Sequence, residues 1–200
     1  TYGTNGLKVD IPRIINYIDK EIMKGDIAEA KLFNPDFIIA NMHWGLEYER
    51  IPSREQRELA DWLMRQGVDL VIGSHPHVVQ PMVLRRGKEG VPDRLVVYSL
   101  GNFISNMSRE HTDGGVMVKV VLGRKGLRRY IASAQYLLIY SSRYKNEQGK
   151  EDIRVVPAAS WSGKNQNSSF SVDSALIKYV NNTRLFLKGN NKEVEEYIFE

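Results

Sequence analysis

Asp36-Phe-Ile-Ile-Ala-Asn-Met-His43 and Asp69-Leu-Val-Ile-Gly-Ser-His75-Pro-His77 are two apolar runs that each end in histidine, and their reading decides the fold. Both are continuous rather than alternating. That marks strands covered on both faces, over 36–42 and 69–74, as in a parallel sheet. Between them Pro52-Ser53-Arg-Glu-Gln56 opens a helix. Ser53 and Gln56 have the spacing of a capping box, in which each side chain satisfies a backbone donor at the helix start. Leu59, Ala60, Leu63 and Met64 form its apolar stripe, and Gly67 is its stop. Strand, helix and strand make a βαβ unit with the right-handed crossover such units favour.

Working outward, residues 10–24 place Ile11, Ile14, Ile15, Ile18 and Ile22 at helical spacing. Pro12 suits the first turn and Gly25 the end. Asp26–Leu32 reads as a second short helix. Downstream the pattern changes. Arg94–Leu100, Val116–Leu122 and Ile131–Tyr140 are rich in Val, Ile, Leu and Tyr and are joined by Gly-containing turns, which predicts an antiparallel meander. Residues 141–152 read as a polar loop and Ile153–Pro157 as a last strand. Trp161–Ser171 is a Ser/Asn/Gly stretch, followed by helices over 173–187 and 191–199. The division expected is 1–140 for the sandwich and 141–200 for an extension.

The 200 residues suffice for one ordinary domain, and 42% hydrophobic with 26% charged content is that of a globular chain. No stretch approaches the ~18 apolar residues of a membrane span. The chain starts Thr1-Tyr-Gly-Thr without Met, so the expectation is that it lies inside a longer reading frame. Cysteine is absent, which excludes disulfides, thiolate metal sites and cysteine nucleophiles. The net charge of +4 gathers in Arg85-Arg86-Gly-Lys88 and Arg124-Lys125-Gly-Leu-Arg128-Arg129, both read as loop tips. Lys and Arg are expected at hairpin or loop tips of a mildly basic chain, and the sharper alternative is a surface for a polyanion; nucleic acid is not an expected partner.

The chemistry concentrates in histidine. Three of the four His stand at the two strand ends, and ligands of open α/β sheets bind outside the carboxyl ends of strands. Adjacent strands lie about 4.8 Å apart, so His43 and His75 converge if their strands are neighbours. In extended backbone His75 and His77 share one side. Imidazoles without thiolates suit a catalytic site for Zn, Mn or Fe. Glu47 is the candidate for proton transfer or for anchoring an imidazole N–H. Asn102 is read as orienting a ligand or substrate, and Trp44, Tyr48 and Gln80 as lining a substrate cleft. His111, in a polar loop, is expected at the surface.

His43-Trp-Gly-Leu-Glu47-Tyr48, Gln56, Gly73-Ser-His75-Pro-His77-Val-Val-Gln80 and Tyr98-Ser-Leu-Gly-Asn102-Phe103, in that order and with Tyr2-Gly-Thr-Asn-Gly6 ahead of them, resemble the CapA family. These are capsule (poly-γ-glutamate) synthesis proteins related to calcineurin-like metallophosphoesterases. The resemblance spans roughly 1–122. It implies an α/β fold, the C-terminal portion of a metallophosphatase-like β-sandwich flanked by helices. It also implies a two-metal centre in which His75 and His77 serve different ions and His43 is a further ligand. The strand-end Asp, Gly-Asp and Asn-His elements of the wider superfamily are not found upstream, and Gly25-Asp26 lies between helical segments. The chain is therefore expected to hold the imidazole half of a dinuclear site.

The resulting expectation is a metal-dependent, phosphoesterase-like hydrolase of the bacterial cell envelope, acting on an anionic polymer or a phosphoester. Its partners would be the N-terminal segment and other capsule-synthesis proteins. The alternative is a non-catalytic accessory that holds an anionic polymer during synthesis or export.

Overall fold

The computed structural model describes residues 16–87, 90–158 and 174–197. Two four-stranded sheets face one another. The first contains β1 (Ile39–His43), β2 (Leu70–Ser74), β3 (Met82–Arg86) and β4 (Pro92–Val97) in the order β1-β2-β4-β3. β1, β2 and β4 are parallel and β3 is antiparallel at the edge. The second contains β5 (Gly114–Lys125), β6 (Arg128–Lys145) and β7 (Glu151–Pro157) as an antiparallel meander. The short β8 (Glu195–Glu196) runs parallel to β6.

Period-two alternation sorts the first sheet's side chains between two cores. Leu70, Met82, Leu84, Leu95 and Val97 face the second sheet. There they pack with Val116, Ile131, Leu138 and Tyr140, and with Leu176, Tyr179, Val180 and Leu187 of α3 (Ser174–Asn190). Ala40, Met42, Val71 and Val96 point the other way, onto α1 (Lys20–Leu32) and α2 (Arg54–Arg65). The βαβ unit stands as read: β1 and β2 are neighbours, with His43 opposite Ser74. α2 carries the complete capping box of Ser53 and Gln56.

Several expectations are corrected. α1 is one helix running through Gly25, N-capped by Asp19, whose carboxylate accepts from the backbone of Glu21 and Ile22. Met23 and Ile27, buried four residues apart, carry the helix across a glycine that costs only about 0.5–1 kcal/mol. The earlier part of the expected 10–24 helix lies outside the described residues, as do Lys88 and the Trp161–Ser171 stretch. β3 was not foreseen, and β4 belongs to the parallel sheet rather than the meander. Residues 141–152 are mostly ladder: β6 runs to Lys145 and β7 starts at Glu151, leaving a tight turn between. The stretch read as helix over 191–199 instead bridges Val83 at Lys192 and forms β8. The boundary expected at 140 falls within β6, and α3 shares the inter-sheet core.

Candidate metal centre

β1 and β2 end side by side, and their parallel register delivers His43 and His75 to one place. The ring centroids are 4.7 Å apart. His75 and His77 do not share a side through extended backbone, as expected from their spacing. Instead the chain bends after Ser74, with φ of +102° at His75 and +61° at His77. Left-handed backbone at non-glycine residues costs about 1–3 kcal/mol each and gathers where geometry serves function. Tyr48, facing this bend, is also left-handed at +68°. Its N–H donates to the Pro76 carbonyl at 2.8 Å, tying the loop after β1 to the loop after β2.

Ligand atoms of Glu47, His75 and His77 lie within 4.8 Å of one another. Two imidazoles and a carboxylate form a donor set that fits Zn, Mn or Fe. The exposed Glu47 is thus in ligand position, beyond the proton-transfer or anchoring role read from sequence. His43 stands beside the trio without being part of it. Burial, then the neighbouring imidazole of His77, lowers the pKa of His43. Burial, then His43, lowers that of His75 against the opposing pull of Glu47. Both are therefore neutral at pH 7, the form that coordinates cations. His75 Nδ1 is closed off from solvent and has no hydrogen-bond partner among the described residues, as fits a ring whose ligand is a cation.

His77 is oriented by Asn102. The Asn102 amide donates to the Thr112 carbonyl at 2.9 Å, which turns its Oδ1 toward His77 Nδ1 at 3.0 Å. Oδ1 only accepts, so the network assigns the proton to Nδ1 and leaves the Nε2 lone pair free. Thr112 is buried, and its hydroxyl donates to the Arg109 carbonyl at 2.6 Å. The Arg109 guanidinium lies 4.0 Å over the Tyr48 ring, which in turn stacks on His77 at 6.0 Å. Sequence reading missed Arg109 and Thr112, because nothing in a polar loop marks which residues fold back on a site.

Trp44 and Gln80 are both buried, and Trp44 borders a cavity of about 310 Å³ with Gly45, Gln56 and Leu59. Trp44 is buried, and its indole N–H donates to the Tyr98 carbonyl at 2.9 Å. A Cβ at Gly73 would fall 2.0 Å from that same carbonyl, so glycine is what lets β2 pass beneath the indole. Gln80 is fully buried, accepting from Gln56 Nε2 and donating to the Glu49 carbonyl, both at 2.8 Å. With these bonds made, its amide is committed to joining α2 to the loop that carries Glu47. Gly45, at φ +88°, presses on the Gln56 amide, where a Cβ would come within 2.7 Å. His111 is half-buried rather than on the surface, its pKa lowered by burial and by Arg50.

Residues 3–107 match the family described as bacterial capsule synthesis protein PGA_cap. The chain is 34% identical over 112 residues to the PGA biosynthesis protein CapA of Bacillus subtilis (strain 168), covering 56% of this chain and 28% of that protein. It is 35% identical over 107 residues to the capsule biosynthesis protein CapA of Bacillus anthracis, covering 54% of this chain and 24% of that protein. The matches thus span about a quarter of each curated relative. The matched segment holds His43, Glu47, His75, His77 and Asn102, and the chain belongs to the bacterial capsule synthesis protein family PGA_cap.

Proposed function

We propose that this chain supplies the imidazole side of a metal-dependent, phosphoesterase-like hydrolase centre of the bacterial cell envelope, acting in capsule or poly-γ-glutamate synthesis. The observation that carries the reading is the convergence of Glu47, His75 and His77, with His77 held in one tautomer by Asn102. Where the resemblance implies different ions for His75 and His77, the closeness of their ligand atoms to Glu47 favours one divalent ion, Mn, Zn or Fe, held by all three. His43 would be the donor nearest a second ion, whose remaining oxygen ligands would come from residues outside this chain. Such ions, held by these residues, would supply Lewis-acid polarisation of an ester, phosphoester or amide and would activate water near neutral pH.

The chain's own residues set the stage for that chemistry. Asn102 fixes the His77 ring. Tyr48 backs it, and the buried Gln56–Gln80 pair holds the loop that carries Glu47. No helix of the described residues is long and apolar enough to cross a membrane.

Calorimetric titration with Mn²⁺ and Zn²⁺ tests the half-site. The expected result is weak binding of a single equivalent, lost in His75→Ala. Two equivalents at nanomolar affinity would overturn it. Phosphoesterase turnover by the full-length protein, abolished by His75→Ala, is the expected catalytic readout, and unchanged turnover would refute the catalytic assignment.

A further inference from the structure

The two sides of the sandwich are finished differently. On the β3 side the segment after α3 seals the gap. There the Leu84 N–H donates to the Lys192 carbonyl and the Lys192 N–H to the Met82 carbonyl, both at 2.9 Å, before β8 joins β6. On the other side lie β1 and β5, each at the edge of its sheet. The Arg124–Asp36 ion pair, at 2.9 Å, brings the far end of β5 beside the entry to β1, so the two edges open on the same side.

The first residues of β5 show which backbone groups point outward. Gly114 accepts from the Asn102 N–H at 3.0 Å, and the Val116 N–H donates to the Leu100 carbonyl at 2.8 Å, both away from β6. Asp113 instead accepts from the Ser141 N–H of β6, at 2.7 Å. Hydrogen bonding alternates along an antiparallel strand. Val118 and Val120 therefore aim N–H and C=O at the outer edge, beyond the stretch that residues 100–102 cover. Among the described residues no strand pairs with β5 there. The inward side chains of this stretch, Val116, Val118 and Val120, pack on the inter-sheet core. Neither a proline nor an inward charge blunts the edge, as exposed edges usually require, and the irregularity at Val121/Leu122 comes only after it.

The opposing face of β1 is bare. Ile39 is in register with Leu70 and Asn41 with Ile72, so both point at the second sheet. Leu70 is 3% exposed within the inter-sheet core, whereas Ile39 is 52% exposed, and Asn41 is exposed as well. Strands of a parallel sheet are ordinarily covered on both faces. The second sheet thus stops one strand short of β1. A strand added beside β5, at the usual spacing of about 4.8 Å, would meet the free groups of Val118 and Val120 and lie over Ile39 at once.

We infer that the outer edge of β5 is the docking site for one extended segment of the full-length protein, from outside these 200 residues and apolar at alternate positions. A free backbone edge on one sheet and a bare apolar face on the other are independent observations, and they call for the same strand. The occupant is assigned to the same polypeptide because the matches span only 28% and 24% of the two Bacillus relatives, which leaves most of each chain to supply it. The inference goes beyond the hydrolase reading and uses no metal.

The test is hydrogen–deuterium exchange, resolved to single amides, on this chain and on the full-length protein. The Val118 and Val120 amides are expected to exchange on the order of 100-fold more slowly in the full-length protein. Met117 and Lys119, whose groups alternate toward β6, are expected to change far less. Ile39→Asp is expected to leave the melting temperature of this chain within about 2 °C and to lower that of the full-length protein by about 5 °C or more. Equal exchange at Val118 and Val120 in the two proteins, or a full-length protein indifferent to Ile39→Asp, would overturn the inference. Protection that arises in this chain alone and grows with its concentration would also overturn it, by giving the edge to a second copy.

Discussion

At the carboxyl ends of β1, β2 and β4 the structure is closed by glycines, left-handed turns and buried amides. At their amino ends it is closed by guanidinium groups on two carboxylates, Asp36 exposed and Asp69 buried. Met42 and Val71 and their neighbours serve both ends alike, so the sheet is common and only the finishing differs. The first kind of finish leaves no room for an added methyl group at Gly45 or Gly73. The second holds charge in place while letting partners exchange.

The contrast can be broken from the carboxyl end first. Gly73→Ala drives a methyl against the Tyr98 carbonyl and the Trp44 indole. It is expected to cost about 3 kcal/mol or more, read as a drop in urea midpoint; a loss under about 1 kcal/mol would show that β2 can shift aside. Asn102→Ala frees the His77 ring and is expected to weaken metal binding by about 10–100-fold, with little change in melting temperature. Equal metal affinity in the variant would remove Asn102 from any orienting role.

Acid separates the ends more gently. His43 and His75 titrate below the ordinary value of 6.5 in the folded chain. The unfolded chain therefore takes up protons first as pH falls. The stability these rings contribute is full above pH 6.5 and lost as pH drops through their lower folded values. The melting temperature of the wild type is expected to fall more steeply between pH 7 and 5 than that of a His43→Gln/His75→Gln variant. Parallel curves would assign the acid sensitivity elsewhere. Smallest of all, Asp36→Ala should change stability by less than about 0.5 kcal/mol, measured by denaturant titration. A loss above about 1 kcal/mol would make the amino end as rigid as the other.

Much of the carboxyl end was legible because its signals are local. Ser53 and Gln56 announce α2, the two apolar runs announce β1 and β2, and histidine at both strand ends announces their convergence. What stayed hidden was long-range. β3 follows Pro81 and ends in Arg85-Arg86, so it reads as turn and tip. Its pairing with β4 and its contacts with Lys192 are what make it a strand. The residues after Asn191 read as helix on composition, yet the free edge of β6 takes up Glu195 and Glu196. Polar residues 141–145 extend β6 because an antiparallel ladder needs only backbone when a face is wet. Left-handed backbone at His75 and His77 has no sequence marker, and the spacing rule for extended chain misplaced them.

One feature of the centre bears on how it comes apart. His77 touches Asn102, Asn102 touches Thr112, Thr112 touches the backbone of Arg109, Arg109 covers Tyr48, and Tyr48 lies on His77. The path closes on itself and has no end from which to fray. The backbone amides of Tyr48, Asn102 and Thr112, each hydrogen-bonded, should accordingly exchange with deuterium through one shared opening. Occupancy at the histidines would then slow all three together, making the loop of 103–112 a distant timer of what is bound at the strand ends.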